Sequence, residues 1–308
     1  MILSPGQVVE RYRVVRVVGQ GGMSVVYEVE HTRLGTAHAL KVLSRGGPQM
    51  EARLLSEGRI QAQLRHPNVV PVTDVLDVGD TLGLVMDLVR GTSLATLMAA
   101  ERLSLEAIDH LAVQILAGVA AAHGAGVVHR DLTPGNILVE VRDGDVLAKV
   151  ADFGLVHVLG DPDRPTVAGT LRYMAPEQLL GARVDARADV FALGAVLFEL
   201  VEGAPAFPGD DPVALVHRVK RGQVAELPAE RVVPGRVVRA LRDALSRDPS
   251  RRPRDAAELA KRWLDGSVPR APTWSAGQLQ RISELLTAQA AEVSRTITLS
   301  RPPTSPGR

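Results

Sequence analysis

Strands and helices are segregated along this chain, and that segregation limits its fold more than any other feature. Residues 12–89 are built of short valine-rich runs, among them RVVRVVG, SVVYEVEH, HALKVL, VVPVTDVLDVG and LGLVMDLV. Apolar and polar positions alternate in them, as they do in half-buried antiparallel strands. One helix interrupts the series at about residues 51–64, with Leu54, Leu55, Ile60 and Leu64 on one face. After Gly91 the period changes. Residues 105–123 carry a helical stripe of Leu105, Ile108, Leu111, Ala112, Ile115 and Leu116. Further helices are expected at 188–202, 212–221, 232–246 and 256–264. The fold class is therefore α+β and bilobal: a lead-in over 1–11, a small β-rich lobe with one main helix over 12–89, and a larger, mostly helical lobe over 90–265. Ligands collect in clefts between domains, so the junction near Asp87 to Arg90 is where a site is expected.

Residues 266–308 differ again. SAGQLQRISELLTAQAAEVS has the spacing of an amphipathic helix, with Leu279, Ile282, Leu286 and Val293 along one face, and is read as a solvated extension. RTITLSRPPTSPGR reads as a disordered Ser/Thr/Pro tail.

Charge and composition exclude several classes. The 308 residues include 36 basic and 35 acidic ones, a net charge of +1, so nothing calls for a nucleic-acid partner. There are no cysteines, which removes disulfides, thiolate metal sites and thiol nucleophiles, and fits a reducing compartment. The N-terminus MILSPGQVVERYR lacks the pattern of a signal peptide. The most apolar stretch, residues 111–128, carries Gln114 and His123 and several glycines, so it reads as a buried helix rather than a membrane span. A cytoplasmic protein is expected. Of the basic residues only Lys41, Lys149, Lys220 and Lys261 are lysines, so each is a candidate for a specific task.

The chemistry-bearing residues fall in a fixed order. In VGQGGMSVVYEV, Gly19, Gly21 and Gly22 lie between two strands, the wrong context for a dinucleotide fingerprint, whose glycines open a helix. A glycine-rich hairpin can instead fold over a phosphate chain, because backbone N–H groups approach the oxygens unobstructed. Lys41 stands between Leu40 and Val42 and should face away from both. A buried ammonium needs a carboxylate, and Glu57 on the following helix is the partner expected. In VVHRDLTPGNILV, between two strand-like runs, Asp131 and Asn136 share a loop, and Asp152 follows in KVADFGLV. Mg²⁺ takes oxygen ligands, one or two from protein and others from substrate phosphates. Asn136 and Asp152 supply such a set, leaving Asp131 to orient a hydroxyl and accept its proton. Read singly, each of these would be an ordinary turn.

With HPN at His66, GTLRYMAPE ending at Glu177, ADVFALG around Asp189 and RRP at Arg252, the chain resembles the eukaryotic-like Ser/Thr protein kinases of bacteria over residues 12–264 or so. The resemblance implies ATP and Mg²⁺ or Mn²⁺ as cofactors, and Ser/Thr hydroxyls of proteins as acceptors. It implies that Val18, Gly19, Gln20, Gly21, Gly22, Met23 and Ser24 cover the phosphates, with Val26, Ala39 and Leu138 around adenine. Met86 takes the gatekeeper position, and Asp87 and Val89 the hinge. Lys41, held by Glu57, would grip the phosphates, Asp131 would be the base, and Asn136 and Asp152 would hold the metal. Glu177 with Arg252 would form a buried ion pair, and Asp189 an anchor under the catalytic loop. Arg130 before Asp131 implies docking of a phosphorylated activation segment. Thr166 is the expected site, modified through transient self-association, and Thr170 is a second, structural hydroxyl. Two positions depart from the family pattern: Ser24 replaces a glycine, and Thr133 stands where a lysine usually touches the γ-phosphate. The alternatives are a catalytically weak pseudokinase acting as a binding module and a small-molecule phosphotransferase of the antibiotic-kinase type. Arg130, the GT…APE segment, Asp189 and Arg252 argue against the latter.

Overall fold

The computed structural model describes residues 3–20, 24–43, 47–153, 168–226, 233–269 and 272–285, apart from the side chains of 48–50, 53, 57 and 168. Among these residues, β1 (Val8–Val9), β2 (Tyr12–Gln20), β3 (Ser24–His31), β4 (Ala37–Leu43), β5 (Val72–Val78) and β6 (Thr81–Asp87) form one antiparallel sheet in the order β1-β2-β3-β4-β6-β5. Both faces of β4 are covered. Leu40 and Val42 pack with Tyr27, Val29 and Val85 on one side, and Ala39 and Leu43 with Leu54, Leu84 and Met86 on the other. Strand alternation puts Lys41 on the second face. It is 6% exposed, which rules out an outward, solvated lysine.

The helix between β4 and β5, α1 (Pro48–Gln61), begins earlier than the apolar pattern indicates because Pro48 occupies its first turn. It ends at Gln61, whose buried side chain donates to the Val70 carbonyl at 2.9 Å. Its packing face also differs from expectation. Leu54 is buried but Ile60 is 41% exposed. Gly58 makes the contact instead, since a Cβ there would stand 2.8 Å from Leu84 Cδ2. Apolar spacing marks a face only when side chains carry the packing, and here close approach does.

The second lobe begins with β7 (Gly91–Ser93), α2 (Leu94–Ala100) and α3 (Leu105–Gly124), then β8 (Ile137–Arg142) and β9 (Asp145–Val150), which complete a small sheet with β7. Helices α4 (Ala168–Leu171), α5 (Pro176–Leu179), α6 (Ala186–Glu202), α7 (Pro212–Arg221), α8 (Gly235–Ala244) and α9 (Ala256–Leu264) follow. Their bounds are set by caps. Asp185, Asp211 and Asp255 accept N–H groups of the first turns of α6, α7 and α9, while Gly203 and Gly222 end α6 and α7 in the left-handed region. Helix α8 starts at Gly235 rather than 232, after Pro234. Helix α6 is buried along almost its whole length and forms the axis of this lobe.

Val127 and Val128, read as strand-like, are not in a strand. The Val127 N–H closes the end of α3 on the Ala122 carbonyl, and the His129 and Arg130 N–H groups bond to a side chain instead of a ladder.

The lobes are tied behind the cleft. The Val70 N–H donates to the Val150 carbonyl at 2.9 Å, and the Val150 N–H to the Asn68 carbonyl at 2.8 Å. Gln114 of α3 accepts from Asn68 Nδ2 at 3.0 Å and from the Ala148 N–H at 2.9 Å, and donates to the Val146 carbonyl at 3.1 Å. Gly118, one turn on, lets the Asn68 carbonyl approach to where a Cβ would be only 2.4 Å away. Helix α3 is long and apolar enough to cross a membrane, yet Gln114 and His123 both spend their polar atoms on partners within the protein.

The amphipathic segment does form a helix, α10 (276–285), and it is not a solvated extension. Ile282 is 2% exposed in the core of the larger lobe, with Leu279 and Leu285 packed against it. Trp274 donates from Nε1 to Asp145 Oδ1 at 2.9 Å, and Arg281 pairs with Glu101. Leu286 and Val293 lie outside the described residues.

Candidate active site

The floor of the cleft is the loop between α3 and β8. Asp189 of α6, 1% exposed, accepts the N–H groups of His129 at 2.7 Å and Arg130 at 2.8 Å, and His123 Nε2 lies 2.9 Å from its Oδ2. His123 Nδ1 accepts the Ala256 N–H, so Nε2 carries the proton toward Asp189. His129 is fully buried. Its Nε2 donates to the Ala151 carbonyl at 2.9 Å, its Nδ1 accepts the Asp131 N–H at 3.3 Å, and its ring lies 4.7 Å from that of Phe153. Arg130 has φ of 67° and Asp152 has φ of 59°, left-handed conformations that a non-glycine residue keeps only where its surroundings hold it.

Asn136 closes the loop. Its Nδ2 donates to the Asp131 carbonyl at 2.7 Å and stands 3.4 Å from Asp131 Oδ2, which leaves its amide oxygen for another partner. The Asn136 carbonyl accepts the Ala151 N–H at 2.9 Å and so brings Asp152 alongside. Lys41 reaches from the other lobe, with Nζ 2.7 Å from Asp152 Oδ1. The ammonium is thus paired with Asp152, a partner the sequence reading did not assign to it. The Glu57 side chain lies outside the described residues.

Above this polar cluster sits an apolar one. Val26, Ala39, Met86, Val89, Leu138 and Ala151 belong to a single packed group. Register places Val26 opposite Lys41 and Ala39 opposite Met86. The Asp87 N–H is taken by the Pro71 carbonyl at 3.2 Å, so it is not available to a ligand. Val18, Gly19 and Gln20 end β2 and Ser24 opens β3, while Gly21, Gly22 and Met23 lie outside the described residues. Thr133 is half-buried in the loop, and its carbonyl accepts the Asn136 N–H at 3.0 Å. Thr170 lies in α4, and Thr166 is outside the described residues.

The segment after the cleft is anchored by Arg252, whose two terminal nitrogens meet Glu177 Oε1 and Oε2 at 2.7 and 2.9 Å. Tyr173 donates to Glu199 Oε2 at 2.5 Å; burial and the adjacent carboxylate push its phenol well above the ordinary range. Sequence reasoning passed over two residues here. His129 was visible only as part of a motif. Gln178 follows Glu177 directly and is 5% exposed: it accepts the Ala175 N–H at 3.0 Å and donates to the Arg130 carbonyl at 2.8 Å.

A buried lysine paired with a carboxylate, an Asp–Asn loop beside it and an apolar group where the two lobes meet are the arrangement expected of a protein kinase. The protein kinase domain model matches residues 12–264, and the chain belongs to that family. It is similar to the DNA damage-responsive serine/threonine-protein kinase RqkA of Deinococcus radiodurans, with 37% identity covering 85% of this chain and 41% of that protein. It is also similar to the serine/threonine-protein kinase PknD of Mycobacterium tuberculosis, with 35% identity covering 81% of this chain and 38% of that one. The chain thus spans less than half the length of either relative. Among solved structures, the PknI kinase domain of M. tuberculosis superposes with a TM-score of 0.69 at 28% identity, over 87% of this chain and all of that one. Rad53 in complex with AMP-PNP gives 0.70 at 26% identity, over 83% and 66%.

Proposed function

We propose that this chain transfers the γ-phosphate of ATP to Ser or Thr hydroxyls of proteins. The observation that carries the reading is the pairing of buried Lys41 with Asp152 across the cleft, beside Asp131 and Asn136. Structural likeness to Rad53, crystallised with an ATP analogue, supports ATP as the donor.

The roles follow from chemistry. The apolar group of Val26, Ala39, Met86 and Leu138 sandwiches adenine. Lys41 presents a fixed cation to the phosphates. Among the described residues no three His, Asp or Glu side chains gather to hold a metal. The free oxygen of Asn136 and the Asp152 carboxylate fit an ion that draws its other ligands from phosphate and water, as Mg²⁺ does. When bound, the ion neutralises charge on the transferred group. Asp131, its backbone pinned at both the N–H and the carbonyl, orients the acceptor hydroxyl and takes its proton. Such an activity needs the ATP of the cytoplasm.

Mg²⁺-dependent transfer of ³²P from [γ-³²P]ATP to casein or myelin basic protein, beside an aminoglycoside control, tests the proposal. No transfer to any protein, the chain itself included, overturns it.

Regulation belongs to the same reading. Arg130 is exposed and next to the base, so it can receive a phosphate at Thr166, added by a second copy of the chain. Thr166→Ala should lower activity, and mass spectrometry should find the phosphate in active protein but not in Asp131→Asn. Full activity of Thr166→Ala counts against it.

A further inference from the structure

We infer that Gln178 is a positioning residue for phosphotransfer: it fixes the peptide unit that carries Asp131, and through it the end of the activation segment holds the base in place. The inference rests on the kinase reading of the site.

Consider the peptide unit between Arg130 and Asp131. Its N–H, that of Asp131, donates to His129 Nδ1 at 3.3 Å. Its carbonyl, that of Arg130, accepts from Gln178 Nε2 at 2.8 Å. The preceding N–H, that of Arg130, is held by Asp189 at 2.8 Å. Arg130 sits at φ 67°, a left-handed conformation unfavourable for a non-glycine residue, so it persists only if its peptide groups are held from outside. Asp189 holds the side before Arg130. Gln178 holds the side after it, at the carbonyl whose carbon is two bonds from the Asp131 Cα. A rotation of this peptide would swing the Asp131 carboxylate away from an acceptor hydroxyl.

The other half of the Gln178 amide has a definite task as well. Its Oε1 accepts the Ala175 N–H at 3.0 Å, at the start of α5. The two bonds fix which way the amide faces, since a backbone N–H demands the oxygen and a carbonyl the nitrogen. The side chain is 5% exposed, so neither backbone group would find water readily if it were lost. Helix α5 is itself anchored by the Glu177–Arg252 pair one residue earlier. The path from Arg252 through α5 to the catalytic loop therefore ends in a single side-chain amide. A displacement of the preceding segment that shifts α5 acts directly on Asp131.

Gln178→Glu isolates the second bond, because a carboxylate still accepts from Ala175 but cannot donate to the Arg130 carbonyl. Gln178→Met removes both and keeps the volume. For Gln178→Glu, kcat should fall between about tenfold and a hundredfold, the scale of loss when a catalytic group is misplaced by an ångström or so, with KM for ATP within about twofold of wild type. Hydrogen exchange should quicken in a peptide covering residues 129–136 and stay unchanged in α9. Gln178→Met should show the same local exchange if Gln178→Glu does not fold. Wild-type kcat and exchange in Gln178→Glu overturn the inference, as does exchange that quickens everywhere in step with a lowered melting temperature. A wild-type protein without phosphotransfer is a failure of the kinase reading instead, and the exchange experiment then still decides whether Gln178 orders the loop.

Discussion

Lys41 and Asp152 meet at 2.7 Å across the cleft, a strand of one lobe bonded to the loop after β9 in the other. Lys41 is 7% exposed in its side chain and Asp152 31%, so the ammonium depends on the carboxylate more than the reverse. Lys41→Met should cost about a hundredfold or more in turnover, as loss of a fixed charge beside developing charge does. Asp131→Asn should cost between about a hundredfold and ten thousandfold while nucleotide affinity stays nearly intact. Steady-state transfer rates beside fluorescent-nucleotide binding separate the two. Near wild-type turnover in either variant would mean the roles are misassigned.

Arg252 makes the sharper stability test. Besides Glu177 it donates to the carbonyls of Ser246, Arg187 and Arg247, and its guanidinium lies 4.9 Å from the Phe191 ring centre. Arg252→Met strands a carboxylate and three carbonyls, and should cost about 3–5 kcal/mol. Glu177→Gln should cost less, because an amide oxygen still accepts one N–H. Urea unfolding at neutral pH gives both values, and equal losses would show that the carbonyl bonds contribute nothing.

Thr133 stands where the family pattern implies a lysine, and it carries no charge. Thr133→Lys should raise kcat by about tenfold with little change in KM for ATP, the signature of an interaction made chiefly in the transition state. An unchanged kcat from single-turnover kinetics would show that another group already serves this position.

Ile282 lies beyond the residues matched by the family model and is nonetheless core. Ile282→Ala should cost about 2–5 kcal/mol. A chain ending at residue 269 should lose more, since Trp274 and Arg281 go with it. Thermal melts of both should show lowered midpoints, and an unchanged midpoint for the shortened chain would mean α10 contributes no stability.

Local patterns gave up the elements whose signals are local. The bounds of α7 and α9 follow from Asp caps and helical period, and those of α3 to within a residue. Ordered motifs gave the Glu177–Arg252 pair and the Asp189 anchor, because the resemblance carries three-dimensional information that spacing alone lacks. What escaped was tertiary. Ile60 reads as core although Gly58 makes the contact, since a glycine adds nothing to an apolar stripe. Val127 and Val128 look like a strand, but their neighbours bond to an aspartate 60 residues away. Gln178 carries no signal in the sequence beyond its place after Glu177, and only the backbone turned toward it shows its partner. The contact of Lys41 with Asp152 depends on how the lobes close, which no local pattern encodes.

The reach of the larger lobe's core, from Leu64 to Ile282, has a consequence for how the protein is made. The outer core of the small lobe needs nothing beyond Val85, so it can close while the rest is still being translated. The larger lobe has no such early stopping point. Its sheet and its axial helix emerge well before Ile282 and Trp274, and in that interval the apolar surface meant for α10 faces solvent. A ribosome that pauses in that interval would therefore expose a larger lobe with one open seam, a natural place for a chaperone to bind.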